Sequence, residues 1–230
     1  VGLLGTELNI SASSAGKQSL LKTITDGLGA RTTIEYAALT DSTVYTKGSG
    51  AVYPQANARS AYYVVSQHTI SDGRTSSGDG SHSYSFQHHY EDGRIDRRGR
   101  GWLGFARLRL IDSGSGLTTL TEHRQDFPYT GAIAGTRVTR NDTGQTVRST
   151  SAEFSLLPIS SPGVYLAVRD SRTQTRYSGG RASFRLKKSF THDGFGNVVM
   201  ITDSGDTRAG DPVIYTCTRY SNVKTAWRMG

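Results

Sequence analysis

Six histidines are the first residues to test for chemistry: His68, His82, His88, His89, His123 and His192. On an extended strand His82 and His88 share a face but lie six residues, about 20 Å, apart. They cannot hold one ion together, and His88 and His89 point to opposite faces. No spacing matches a zinc motif, so no metal and no cofactor is expected. Carboxylate pairs come next, because glycoside cleavage needs two opposed carboxyls. Glu122 and Asp126 are four apart and are expected on one strand face; Glu91 and Asp92 are adjacent in an expected turn. Asp126 is read instead as the anchor of an Asp126-Phe127-Pro128-Tyr129 bend, through hydrogen bonds to the backbone. The single cysteine, Cys217, sits in a strand pattern and is expected to be a small buried apolar group. No Gly-x-Ser-x-Gly elbow precedes a helix. These residues predict no enzyme.

The densest basic run is Arg94, Arg97, Arg98 and Arg100, followed at once by Trp102 and Phe105. Basic plus aromatic residues can bind single-stranded nucleic acid or another polyanion. The alternative is structural: Gly99-Arg100-Gly101 forms a turn, and Trp102 and Phe105 anchor neighbouring hairpins. The structural reading is the stronger, which leaves nucleic acid as an unexpected partner. A third option is that basic strand faces contact an acidic partner or an unfolded cargo.

The elements that would position these residues are strands. Period-2 alternation puts His82, Tyr84, Phe86, His88 and Tyr90 on one face, and Ser83, Ser85, Gln87 and His89 on the other. Leu108 and Leu110 alternate with Arg107 and Arg109; Tyr165–Asp170 and Phe184–Lys188 are similar. One apolar and one wet face is the signature of antiparallel sheet. Turn signals lie at Asp26-Gly27, Asp72-Gly73, Asp79-Gly80, Asp92-Gly93, Asn141-Asp142-Thr143-Gly144, Asp193-Gly194 and Ser204-Gly205. Residues 40–61 read as a loop with short extended pieces. Asp26-Gly27-Leu28-Gly29 and Asp193-Gly194-Phe195-Gly196-Asn197 form a weak repeat, with Tyr90-Glu91-Asp92-Gly93-Arg94-Ile95 as a looser third copy. The fold class expected is all-β, hairpins and meanders forming an extended curved sheet. The best internal break is Leu157–Gly163, which divides the chain into residues 1–157 and 158–230, or leaves one continuous domain.

Composition agrees. Of 230 residues, 35% are hydrophobic, 27 are Gly and 12 are Tyr, and the net charge is +8. Only one residue in five is Leu, Ile, Val or Phe, near the boundary for disorder; the aromatics restore the balance. The core should be thin and spread out. No apolar run reaches the roughly 18 residues of a membrane-spanning helix. The opening Val1-Gly2-Leu3-Leu4 has no Met and no basic leader, as expected of a fragment or of a processed product.

Several stretches resemble the middle region of the B component of bacterial insecticidal toxin complexes and the related Salmonella plasmid virulence group, whose members carry Tyr-Asp (YD, or Rhs) repeats. They are Leu39–Gly50, Tyr63-Val64-Val65-Ser66, Gly99-Arg100-Gly101-Trp102-Leu103-Gly104-Phe105 and Arg124-Gln125-Asp126-Phe127-Pro128-Tyr129-Thr130-Gly131. Tyr220-Ser221-Asn222, with Ala226-Trp227 and Gly230, is similar to the start of the YD shell. The resemblance implies a non-catalytic, secreted or surface scaffold joining a β-propeller to a spiralling shell around a toxic effector. It implies as partners other segments of the same protein, a C-type effector-bearing component and a pore-forming A-type component. By this resemblance the structural motif residues are Asp26, Gly27, Gly29, Gly99, Arg100, Gly101, Trp102, Gly104, Phe105, Asp126, Phe127, Pro128, Tyr129, Asp193, Gly194 and Gly196. Arg94, Arg97, Arg98 and Arg100 remain the polyanion candidates. The sequence departs from the family in having no propeller, no long YD array and no effector segment.

Overall fold

A computed structural model describes residues 20–59, 62–71, 83–158 and 163–221. Among them the chain is all strand and turn, without helix. The strands are β1 (Thr23–Thr25), β2 (Arg31–Ala38), β3 (Tyr45–Thr46), β4 (Gln55–Asn57), β5 (Tyr63–Ser71), β6 (Ser83–Asp96) and β7 (Gly101–Asp112). Then follow β8 (Leu117–His123), β9 (Ile133–Arg140), β10 (Thr146–Leu157), β11 (Leu166–Ser178), β12 (Arg181–His192), β13 (Val198–Asp206) and β14 (Ile214–Cys217). They form one sheet in the order β1-β2-β5-β6-β7-β8-β9-β10-β11-β12-β13-β14. Neighbours along this path are antiparallel and mostly consecutive in sequence, a long meander that does not close into a barrel. Short β3 and β4 both add to β6, β3 in parallel.

The alternation explains why these segments are strands. In β7, Arg107 and Arg109 are exposed while Leu108 and Leu110 are half-buried. Among the described residues the strands form one sheet, so little is sealed. Among the described residues the buried hydrophobics are Leu39, Val44, Tyr45, Ala58, Leu103, Val138 and Val168. The expected thin core is confined mostly to the place where the 39–58 loop folds onto β6 and β7.

The weak repeat is a real structural repeat in two of its three copies. In the β1–β2 turn, Asp26 Oδ1 accepts the Leu28 and Ala30 amides, both at 2.9 Å. In the β12–β13 turn, Asp193 Oδ1 accepts the Phe195 and Asn197 amides, both at 2.9 Å. The fourth residue is left-handed in each, Gly29 at φ 87° and Gly196 at φ 88°, which a side chain resists. Asn141–Gly144 forms the expected β9–β10 turn.

Two expected turns are corrected. Asp92-Gly93 lies inside β6 and Ser204-Gly205 inside β13; the hairpins turn at residues 97–100 and 207–210. Both sites do hold left-handed backbone of the kind tight turns use, Asp92 at φ 51° and Gly205 at φ 58°. Here it bends a long strand instead of reversing it. Ser204 and Gly205 together oppose Lys187, a β-bulge. Asp72-Gly73, Asp79-Gly80, His82, the C-terminal Asn222, Ala226-Trp227 and Gly230, and residues 159–162 of the 157–163 break lie outside the described residues.

Candidate functional site

The four resemblance-bearing stretches, scattered over more than ninety residues, meet at one node on β6. The first, Leu39–Gly50, supplies Leu39, Val44 and Tyr45, a buried cluster packed by Ala37, Val64, Tyr90 and Phe105. The second, Tyr63–Ser66, is tied in where the Tyr90 hydroxyl donates to the Val65 carbonyl at 3.0 Å. The third brings Trp102 and Phe105, edge-on at 5.1 Å, with Phe105 also 4.8 Å from Tyr90 and 5.9 Å from Tyr45. The fourth brings Gln125.

At the centre is Gly93. Its amide donates to the Tyr45 hydroxyl at 3.1 Å, and its carbonyl accepts the Ala58 amide at 2.7 Å. A Cβ there would stand 2.9 Å from Trp102 and 3.1 Å from Phe105, so glycine lets two rings lie on bare backbone. Asp92 before it and Gly104 (φ 85°) on β7, opposite Arg94, are both left-handed. Their carbonyls turn out of the ladder, and the Gln125 side-chain amide donates to both, at 2.7 Å and 2.9 Å. Gln125 is buried. Burial raises the Tyr45 and Tyr90 phenols above their ordinary range, which keeps both neutral and able to donate. Gln125 was not singled out from the sequence; its only signal was membership of the Arg124–Gly131 stretch.

The basic run does not become one patch. Arg94 is spent inside the node, with contacts at 3.2 Å and 2.8 Å to Asp92 and at 2.9 Å to Gln55. Arg100 lies 3.8 Å from Asp96 and stacks 3.9 Å over the Phe127 ring. Arg98 stands over Tyr53 at 5.7 Å, and the Arg97 amide donates to the Pro54 carbonyl at 2.9 Å. Residues 97–100 are the turn, with Gly99 at φ 108°, and Gly101 opens β7. Phe127 in turn meets Tyr165 edge-on at 5.1 Å.

The carboxylate pair is separated by the structure. Strand β8 ends at His123, and Asp126 sits in the following bend, not on the strand face of Glu122. That bend is closed by main chain: the Arg124 amide donates to Ala132 and the Gly131 amide to Arg124, both at 2.8 Å. Asp126 contributes through a two-pronged pair with Arg124, whose guanidinium holds its carboxyl below the usual range. A carboxyl so held is ionised, the reverse of a general acid. Glu91, which lies in β6 and not in a turn, is taken up by Arg107 at 2.6 Å and Arg109 at 3.1 Å.

Two histidines do meet, but not the pair weighed from spacing. His68 Nδ1 on β5 lies 2.9 Å from His88 Nε2 on β6, and Phe86 stacks on His68 at 4.7 Å. His89, on the opposite face, contacts the Thr46 hydroxyl at 2.8 Å and the Thr43 carbonyl at 3.1 Å. Among the described residues no three His, Cys, Asp or Glu side chains gather in a metal-binding group. Cys217 is exposed, not buried: β14 lies at the end of the sheet, and among the described residues its one strand neighbour is β13.

The family described as the insecticide toxin TcdB middle/N-terminal region matches residues 4–130. The fold is similar to that in the crystal structures of TcdB2-TccC3 (TM-score 0.59) and TcdB2-TccC3-Cdc42 (TM-score 0.60), at 12% identity over 81% of this chain. The chain spans 12% of the length of those proteins. No curated protein matches the sequence.

Proposed function

The chain belongs to the family of the insecticide toxin TcdB middle/N-terminal region, and on that premise we propose that it is a non-catalytic wall segment of a toxin-complex shell that encloses and delivers a toxic effector. The observation that carries the reading is the node itself. Its polar groups are consumed in holding one strand crossing rigid, and its rings pack on each other. A single-layer sheet leaves large apolar groups uncovered, among them Val52, Tyr62, Val164 and Tyr215. Such a sheet gains stability when further layers or strands cover it. The edge strands β1 and β14 each have one neighbour among the described residues, which suits pairing with other segments of the same protein.

In this reading residues 1–157 are the middle segment and 158–230 lead toward YD (Rhs) repeats. The motif glycines and aromatics act as structural positions. A C-type component carrying the effector completes the chamber, as the TcdB2-TccC3 pairing of the similar structures suggests, and an A-type pore receives it. The assembly is a secreted or surface virulence factor. Negative-stain imaging of the full-length gene product tests this: a hollow shell is expected, and a compact solid particle would overturn it.

A second reading, a free-standing basic β-domain that binds polyanion, carbohydrate or nucleic acid, draws on the exposed Tyr53–Arg98 stack. It requires that Arg97→Glu with Arg98→Glu elute earlier from a heparin column; unchanged elution removes it.

A further inference from the structure

The charge distribution on β10, β11 and β12 is unusual for a stable sheet. The register places Arg148 of β10 directly opposite Arg176 of β11. It places Arg172 of β11 directly opposite Lys188 of β12. Directly opposed residues share a face, about 4.5–5.5 Å apart between Cα atoms, and like charges so placed destabilise the pair. Arg172 and Arg176 are four residues apart on one strand, so both pairs occupy the same face, about 13 Å apart.

Little on the chain offsets them. Lys188 is paired with Asp203 at 2.9 Å. Asp206, opposite Leu186 on this face, has its Oδ1 occupied by the Arg185 and Arg208 amides. Among the described residues no carboxylate lies within ion-pair distance of Arg148, Arg172 or Arg176, and all three are exposed. Beside them Arg169 and Arg172 line a hollow of about 200 Å³ floored by small residues, Ala134, Gly135, Thr150 and Ala152. The hollow is wide enough for a short acidic side chain and has two arginines in its lining.

We propose that this face of β10–β12 is a docking surface for an acidic protein segment, extended along β11. One carboxylate would then sit between Arg148 and Arg176 and a second on Arg172, which Lys188 crowds from across the register, with a third in the hollow. Guanidinium groups prefer such planar, two-pronged partners. Nucleic acid is the poorer fit. Its sequence-tolerant binding relies on open aromatic rings, and here Phe154 and Phe184 are half-buried beneath Arg169 and Arg176 at 5.7 Å and 5.8 Å. The inference rests on register and charge in a region beyond the family match, and stands independently of the wall reading.

The test uses the full 230-residue chain and fluorescence anisotropy at 50 mM salt. The probes are a labelled twelve-residue peptide of alternating Glu and Thr, and a labelled twelve-nucleotide oligothymidylate. Saturable peptide binding is expected, weakened at least tenfold by Arg172→Ser with Arg176→Ser. Arg97→Ser with Arg98→Ser, at the distant β6–β7 turn, should change it less than twofold. The Arg172/Arg176 variant should also resist urea as well as or better than the parent, since it relieves repulsion. Should that variant fail to fold by circular dichroism, Arg148→Ser alone must weaken binding threefold or more. No saturable binding, equal losses from both double variants, or tighter binding of the oligonucleotide would each overturn the proposal.

Discussion

Replacing Gln125 is the sharpest perturbation of the node. Its side-chain amide is the donor for two carbonyls, those of Asp92 and Gly104, both residues being left-handed. Gln125→Leu preserves approximate volume and removes both donors. An unsatisfied buried carbonyl costs about 1–3 kcal/mol. Two of them, partly reached by water in a thin sheet, should cost about 2–4 kcal/mol. At about 2–4 °C per kcal/mol for a chain of this size, Tm should fall by about 4–16 °C. Gln125→Glu should be worse than Leu at neutral pH, because it aims a charged acceptor at two carbonyls. The assay is urea unfolding with the m-value followed, so that a stability change is separated from a change in compactness. Gln55→Leu serves as a comparison expected to cost less, since Gln55 accepts from an arginine that Asp92 already holds and its own donation to the Gln125 carbonyl is long, at 3.4 Å. A Gln125→Leu loss under 0.5 kcal/mol, or Glu tolerated better than Leu, would refute the reasoning.

Acid should loosen the sheet. Burial, and for His88 also the nearby His68, lowers the His88 and His123 imidazoles below their ordinary value. The unfolded chain therefore binds more protons as pH falls through about 6.5, and stability is lost on the acid side by at most about 1.4 kcal/mol per pH unit for each group; His88→Asn should flatten that slope in a pH series of urea midpoints. Gly196→Ala should cost more than Gly29→Ala by thermal melting. Both positions are left-handed, at roughly 1 kcal/mol or more, but only at Gly196 would the methyl also meet a neighbour, Leu166 at 2.9 Å. Arg94→Glu should destabilise the chain by about 2–4 kcal/mol, because it turns a half-buried ion pair into repulsion with Asp92; Arg97→Glu, on the exposed turn, should shift the midpoint by no more than about 0.5 kcal/mol.

The local rules were legible wherever they acted over a few residues. Alternation around Leu108 and Leu110 identified β7 and its wet face. The Asp-Gly-x-Gly pairs at Asp26 and Asp193 identified the same turn twice, because an Asx carboxylate and a left-handed glycine act within five residues. The low aliphatic content correctly implied a thin core. The same signal failed at Asp92-Gly93 and Ser204-Gly205. Left-handed backbone is common to hairpins and bulges, and only the partner strand decides between them.

What the sequence by itself determined was the strand pattern, the turn chemistry and the resemblance to a toxin family. What only the tertiary structure decided was which of those pieces touch. His68 meets His88, Arg94 is spent on Asp92 and Gln55, Gln125 clamps two strands, and Arg148 faces Arg176. The two strand-to-strand contacts, His68 with His88 and Arg148 with Arg176, depend on register, and a shift of one residue would send those side chains to the other face; Arg94 with Gln55, and Gln125 with β6 and β7, depend on where the connecting segments fold back. Register is fixed by the summed packing and hydrogen bonding of whole strands, so no short stretch of sequence carries it.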